Sequence, residues 1–192
     1  AQLSAALGSI EKNLARQVAS EKIDQSQSDA ALARISTHGE LAALAEADLV
    51  IEAASENETV KSDILEAVSA LFADDALLAS NTSSISITRL AAQTRHPENF
   101  IGMHFMNPVP VQQLVELIRG MVTSDESFEK AQAIVQTLGK SAAVSEDYPA
   151  FIVNRILLPM INEAAFALYE GVGSVASIDE AMQLGAHHRM GP

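Results

Sequence analysis

Short apolar runs alternate with amphipathic helical stretches along this chain, and that alternation limits the fold more than any other feature. Leu49-Val50-Ile51, Ala76–Ala79, Phe100–Phe105, Leu114–Ile118 and Ala142–Val144 are near-continuous apolar runs. Such runs suit strands covered on both faces, as in a parallel sheet. Between them lie helical patterns. Leu3, Leu7, Ile10, Leu14 and Val18 recur on one helix face, and a second helix is expected over Gln27–Ala33. Arg34–Thr37 reads as a short strand before the His38-Gly39 turn, and Glu40–Ala47 as a helical turn or two. Val60, Ile64, Leu65, Val68, Leu71 and Phe72 mark a long helix, and Asp125–Leu138 another, closed by Gly139. Strands alternating with helices predict an α/β domain with a mainly parallel sheet.

The texture changes after Asp147-Tyr148-Pro149. Phe151–Gly171 reads as one long helix kinked at Pro159. Ser177–Leu184 reads as another, with Ser177 as N-cap and Glu180 completing a capping box. The pattern divides the chain into residues 1–147 and an all-helical segment, residues 148–192.

Composition excludes several function classes. The net charge of −13 argues against nonspecific nucleic-acid binding and against an anionic membrane surface, so neither is expected as a partner. A phosphate-bearing small ligand stays possible, because helix dipoles and single lysines handle those. With no cysteine there is no disulfide framework, thiolate zinc site or cysteine nucleophile. This is compatible with a cytoplasmic location. Asn154, Arg155, Asn162 and Glu163 interrupt the most apolar stretch, which therefore reads as a packed helix and not a membrane span.

The chemistry concentrates in Phe100-Ile-Gly-Met-His104-Phe-Met-Asn107-Pro-Val-Pro110 and Leu114-Val-Glu116-Leu117. A histidine oriented by a buried carboxylate is a common acid/base device. On residue type alone, His104 reads more readily as a satisfied structural histidine, and Glu116 as a sheet-edge residue facing solvent. The position of His104 at a strand end before a turn favours a ligand role, since open α/β sheets bind ligands there. Ser83 lacks a Gly-x-Ser-x-Gly elbow and is not read as a nucleophile. Glu56 and Glu58 could simply favour the positive end of the following helix. Lys61 alone would be a solvated lysine, and Asn107 before Pro108 a turn former. Asn154, in a helix otherwise rich in Ile, Leu and Val, needs a polar partner or a cleft. His187-His188 with Asp179 lacks a ligand pattern, and no metal is expected.

The ordered set Val50-Ile-Glu-Ala-Ala-Ser-Glu56, Ala79-Ser-Asn-Thr-Ser-Ser84, Gly102–Pro110, Leu114-Val-Glu116, Phe151-Ile-Val-Asn-Arg155 and Met190-Gly-Pro192 resembles the L-3-hydroxyacyl-CoA dehydrogenase family, near its short-chain 3-hydroxybutyryl-CoA type. The resemblance implies a Rossmann-type NAD-binding domain (residues 1–147) followed by the start of a helical substrate and dimerisation domain (148–192). It implies His104 as catalytic acid/base, Glu116 as its partner, and Ser83 and Asn154 at the substrate oxygens. Glu56, Lys61, Ser83 and Asn107 match positions near the nicotinamide ribose of NAD, and Asn81 lines the same crevice. The implied partners are a small acyl-CoA substrate and, for the full-length protein, a second copy of itself.

The chain also departs from that pattern. The family's opening strand and Gly-x-Gly-x-x-Gly turn are absent, so the first βαβ unit is missing. Ala150 stands where the family has glycine, and Arg189 where it has proline. The chain is expected to be a fragment truncated at both ends, inactive alone. A non-catalytic acyl-CoA-binding or interaction module is the alternative; a sugar-acid or polyol dehydrogenase is a third reading.

Overall fold

The computed structural model describes residues 2–192, which fall into two compact units dividing after Glu46. The first holds α1 (Gln2–Ala19), α2 (Gln25–Ala33) and a 3-10 turn over Leu41–Leu44. Asp24 caps α2 through a reciprocal pair: its carboxylate accepts from the Gln27 amide, and the Gln27 side chain accepts from the Asp24 amide. Arg34–Thr37 is not the expected strand. Among its described residues that unit offers no other strand to pair with, so an extended segment gains no ladder hydrogen bonds.

The second unit is built on a five-stranded sheet of β1 (Leu49–Glu52), β2 (Leu77–Ser80), β3 (Phe100–Phe105), β4 (Leu114–Arg119) and β5 (Ser141–Glu146), in that spatial order. The pairings are parallel except between β3 and β4. α3 (Glu58–Ser69), the short α4 (Ile87–Ala91) and α5 (Asp125–Thr137) connect the strands. The mainly parallel α/β sheet is as the apolar runs predicted. The sequence pattern missed α4, because five residues are too few for a periodic stripe.

Side chains alternate between two cores. Leu78, Phe100 and Ile118 face Leu65, Val68, Ile87 and Leu90, while Leu77, Ala79, Ile101, Met103, Val115 and Leu117 face Ala131 and Val135 of α5. Gly102 is required by packing: a Cβ there would lie 2.8 Å from Ile87 Cδ1 and 2.9 Å from Ile118 Cβ. Its absence lets α4 rest directly on the sheet. Gly139 ends α5 at φ +67°, a left-handed conformation that glycine adopts without strain.

α6 (Val153–Tyr169) and α7 (Val175–Gly185) follow the sheet. α6 starts two residues later than the apolar pattern suggested, because Ala150 and Phe151 take left-handed backbone conformations, φ 67° and 52°. α7 starts earlier than expected. Its N-cap is Ser174, whose hydroxyl accepts from the Ser177 amide, so Ser177 is the third helical residue and not the cap. Among the described residues no helix is long and apolar enough to cross a membrane.

Candidate active site

The strand register builds the site. On the α4-facing side of the sheet, Glu52, Ser80, Gly102 and Ile118 form one row across four strands; one pleat further, His104 lies opposite Glu116. β1, β2 and β3 all end at this edge, and β4 begins there. Apolar packing therefore gives way to polar groups at the carboxyl edge of the parallel strands, where open α/β sheets bind ligands.

His104 Nδ1 lies 2.8 Å from Glu116 Oε2, and its Nε2 lies 3.0 Å from Ser83 Oγ. Glu116 is fully buried, which removes the solvent-facing reading. Its other oxygen accepts from the amides of Ile152 (3.0 Å) and Val153 (2.8 Å). These N–H groups at the start of α6 have no partner within the helix, and the Glu116 carboxylate supplies their acceptor. An ionised carboxylate only accepts, so Nδ1 must carry the proton. Nε2 of the neutral ring is then an acceptor, and the Ser83 hydroxyl donates to it. The edge of the Phe151 ring packs on the imidazole, with centroids 5.7 Å apart. Ser83, His104, Glu116 and the start of α6 thus form one connected relay.

Around Ser83 the loop after β2 is held by Glu56. One oxygen of that carboxylate accepts from Thr82 Oγ1 (2.6 Å), the Ser83 amide (2.9 Å), the Ser84 amide (3.1 Å) and Ser84 Oγ (2.9 Å). Partial burial pushes the Glu56 pKa up, but these bonds, with the nearby Lys61 charge, outweigh burial and hold it below the usual carboxylate value. Asn81 Oδ1 accepts from the Phe105 amide at 2.8 Å, tying the ends of β2 and β3 together.

Lys61 is not a solvated lysine. It is 2 % exposed, and its ammonium donates to both oxygens of Glu52, at 3.0 and 2.7 Å, with Glu56 Oε2 at 3.8 Å. Asn107 is exposed, before the cis Asn107–Pro108 peptide, and Asn154 is half-buried in the first turn of α6. No hydrogen bond joins either to the relay among the described residues, whereas Glu56 joins it at the Ser83 amide with Lys61 3.8 Å away, and Asn81 bonds to the backbone of Phe105 and Glu52 beside it.

Three further residues support the site and do not stand out in the sequence. Glu52 pairs with Lys61. Asp147, just after β5, accepts from Ser86 Oγ (2.7 Å) and the amides of Ile87 (2.9 Å) and Thr88 (2.8 Å), capping α4. Burial raises its pKa, but these donors outweigh that and hold it low. Lys140 donates to the carbonyls of Val109 (2.7 Å) and Gln112 (2.6 Å), pinning the loop that carries Asn107. An acidic residue ending an apolar run, as in Leu-Val-Ile-Glu52, was the available signal for the first; the other two depend on tertiary contacts alone. Among the described residues no cluster of three or more His, Cys, Asp or Glu could hold a metal ion.

This sheet edge can be compared with known proteins. Residues 1–148 match the family described as 3-hydroxyacyl-CoA dehydrogenase, NAD binding domain, and residues 151–192 match its C-terminal domain. A 3-hydroxybutyryl-CoA dehydrogenase of Bradyrhizobium diazoefficiens is 57% identical over 191 residues, 100% of this chain and 65% of that protein. A probable 3-hydroxybutyryl-CoA dehydrogenase of Bacillus subtilis is 45% identical over 188 residues, 98% of this chain and 66% of the relative. The chain therefore spans just under two thirds of the length of these relatives. The crystal structure of an (S)-3-hydroxybutyryl-CoA dehydrogenase from Ralstonia eutropha superposes with a TM-score of 0.96 at 46% identity, covering 98% of this chain and 67% of that one. With sequence, fold and both family domains in agreement along its length, the chain belongs to the 3-hydroxyacyl-CoA dehydrogenase family.

Proposed function

We propose that this chain forms the catalytic edge of an NAD-dependent dehydrogenase that oxidises a short-chain (S)-3-hydroxyacyl-CoA, such as 3-hydroxybutyryl-CoA, to the 3-oxoacyl-CoA. The observation that carries this reading is the Ser83–His104–Glu116 relay, with His104 Nε2 facing the Ser83 hydroxyl at the mouth of the sheet. Oxidising a secondary alcohol removes a proton from oxygen and a hydride from carbon. His104 Nε2 takes the hydroxyl proton. Glu116 holds the ring in that tautomer and balances the positive charge that forms on it. Ser83 Oγ, already at Nε2, is placed to hydrogen-bond the same substrate oxygen, and Asn154 is assigned to the substrate's other oxygen.

The edge suits the nicotinamide half of NAD. Ribose hydroxyls both donate and accept. Glu56 is 44 % exposed with one oxygen free of the loop bonds, and the exposed Asn107 amide offers both kinds of group. Glu56, Ser83 and Asn107 would contact that ribose, with Asn81 and Lys61 shaping the crevice. NAD, when bound, supplies the hydride acceptor. We assign the whole protein to the cytoplasm as a homodimer; in support, α6 and α7 bury none of their residues, and Ile156, Leu158, Phe166 and Leu184 are exposed.

The test is turnover by the whole protein. Acetoacetyl-CoA with NADH should be reduced with one NADH consumed per ketone. Binding of acetoacetyl-CoA without NADH consumption would overturn the dehydrogenase reading in favour of a binding module.

A further inference from the structure

Glu52 and Lys61 form an ion pair in which each side chain is only 2 % exposed. A buried pair adds little stability compared with apolar residues of similar size, so stability alone does not account for it. The pair's contacts suggest another use. Glu52 accepts from Lys61, from Ser80 Oγ (2.7 Å) and from the Ala54 amide (2.7 Å), so its carboxylate is saturated and fixed. Lys61, fixed in turn, sits 3.8 Å from the outer oxygen of Glu56, whose inner oxygen gathers the donors of Thr82, Ser83 and Ser84. Ser83 then reaches His104. Glu52 itself touches neither Ser83 nor His104.

We propose that Glu52 is a positioning residue: through Lys61 it holds the Glu56 carboxylate where it shapes the Thr82–Ser84 loop and offers its outer oxygen to the nicotinamide ribose. The ribose half of this rests on the function proposed above; the loop half rests on the contacts alone. With Glu52 in place, the Lys61 charge is already matched and Glu56 is only lightly drawn to it. Without Glu52, a lone buried ammonium closes the 3.8 Å gap, pulls Glu56 inward and withdraws its acceptor from the loop amides; without both charges, nothing fixes the outer oxygen of Glu56, and its carboxylate turns away from the same amides.

The experiment uses the whole protein carrying Glu52→Gln, and separately Glu52→Met with Lys61→Met, which removes both charges so that no ion is left buried alone. Hydrogen exchange at the Ser83 and Ser84 amides, measured without NAD, reports the loop. NADH fluorescence reports the ribose contact. Both variants should speed exchange at these two amides by about 10-fold, leave β3 and β4 protected, and weaken NADH binding by about 10-fold. Combined with Glu56→Gln, the Glu52→Gln change should weaken NADH binding by less than about 2-fold further, because the two act in series. Wild-type exchange and NADH affinity in the double Met variant, with only a lower melting temperature, would overturn the proposal. Additive effects of Glu52→Gln and Glu56→Gln would overturn it as well. If Glu52→Gln does not fold, the double Met variant decides. If the wild-type whole protein binds no NADH, the dehydrogenase reading fails, and the exchange data still decide the loop claim.

Discussion

Replacing Glu116 with glutamine should abolish the base while leaving the fold largely intact. The wild-type carboxylate accepts on both sides: from His104 Nδ1 on one oxygen, and from the Ile152 and Val153 amides on the other. Glutamine has one acceptor oxygen and one donor NH2. If its NH2 faces the two α6 amides, two buried N–H groups lose their acceptor, at about 1–3 kcal/mol each. If instead its oxygen keeps those amides, the NH2 faces Nδ1. The ring can then adopt the other tautomer, with the proton on Nε2, at the cost of one exchanged hydrogen bond. The second arrangement is cheaper by about 1–3 kcal/mol, so it dominates. Nε2 then donates, and it cannot accept the substrate proton. A tautomer error of this kind at the aspartate of a serine-protease triad costs about 10⁴ in turnover. Turnover by Glu116→Gln should accordingly fall about 10²–10⁴ with little change in NADH affinity. The assay is NADH consumption with acetoacetyl-CoA, together with nitrogen NMR of the histidine ring. Turnover within about 3-fold of wild type, or an unchanged Nδ1–H tautomer at lost activity, would refute the reasoning.

Three further outcomes are expected. Gly102→Ala places a methyl against Ile87 and Ile118 and should cost about 1–3 kcal/mol in denaturant unfolding; an unchanged midpoint would mean that α4 does not pack as closely as its contacts show. Ala150→Gly relieves a left-handed alanine that costs about 1–2 kcal/mol, partly offset by about 0.4–1 kcal/mol from the more flexible unfolded chain, so the melting temperature should rise slightly, and a clear fall would contradict the strain. Glu56 and Asp147 both have folded pKa values below their unfolded ones, so their stabilisation is complete above the unfolded carboxylate range and is lost as pH falls through the folded values. Asp147→Asn should flatten the acid limb of the stability profile; an unaltered limb would remove Asp147 from that transition.

The sheet is legible because each strand is built on a near-continuous apolar run, and His104 stands out as a polar side chain in one of them. Its pairing with Glu116 is also legible, since two consecutive strands place the residues twelve apart (116 minus 104). Residue type alone misjudges Lys61, because its counter-ion, Glu52, is on another element and a helical position does not show burial. The cap of α7 is misplaced by sequence because Ser174 and Ser177 are both serines three positions apart, and only the backbone distinguishes them. In the sequence Asp147 marks only the point where the texture changes. Its partners, Ser86–Thr88, lie some sixty positions away, beyond any local pattern.

The most direct measurement is steady-state turnover of the whole protein with His104→Ala, set against its NADH affinity. A fall of about 10²–10⁴ in turnover, with NADH binding within about 3-fold of wild type, is what a base at Nε2 predicts. Near-normal turnover in that variant would contradict the account, and the relay at the sheet edge would then be structural.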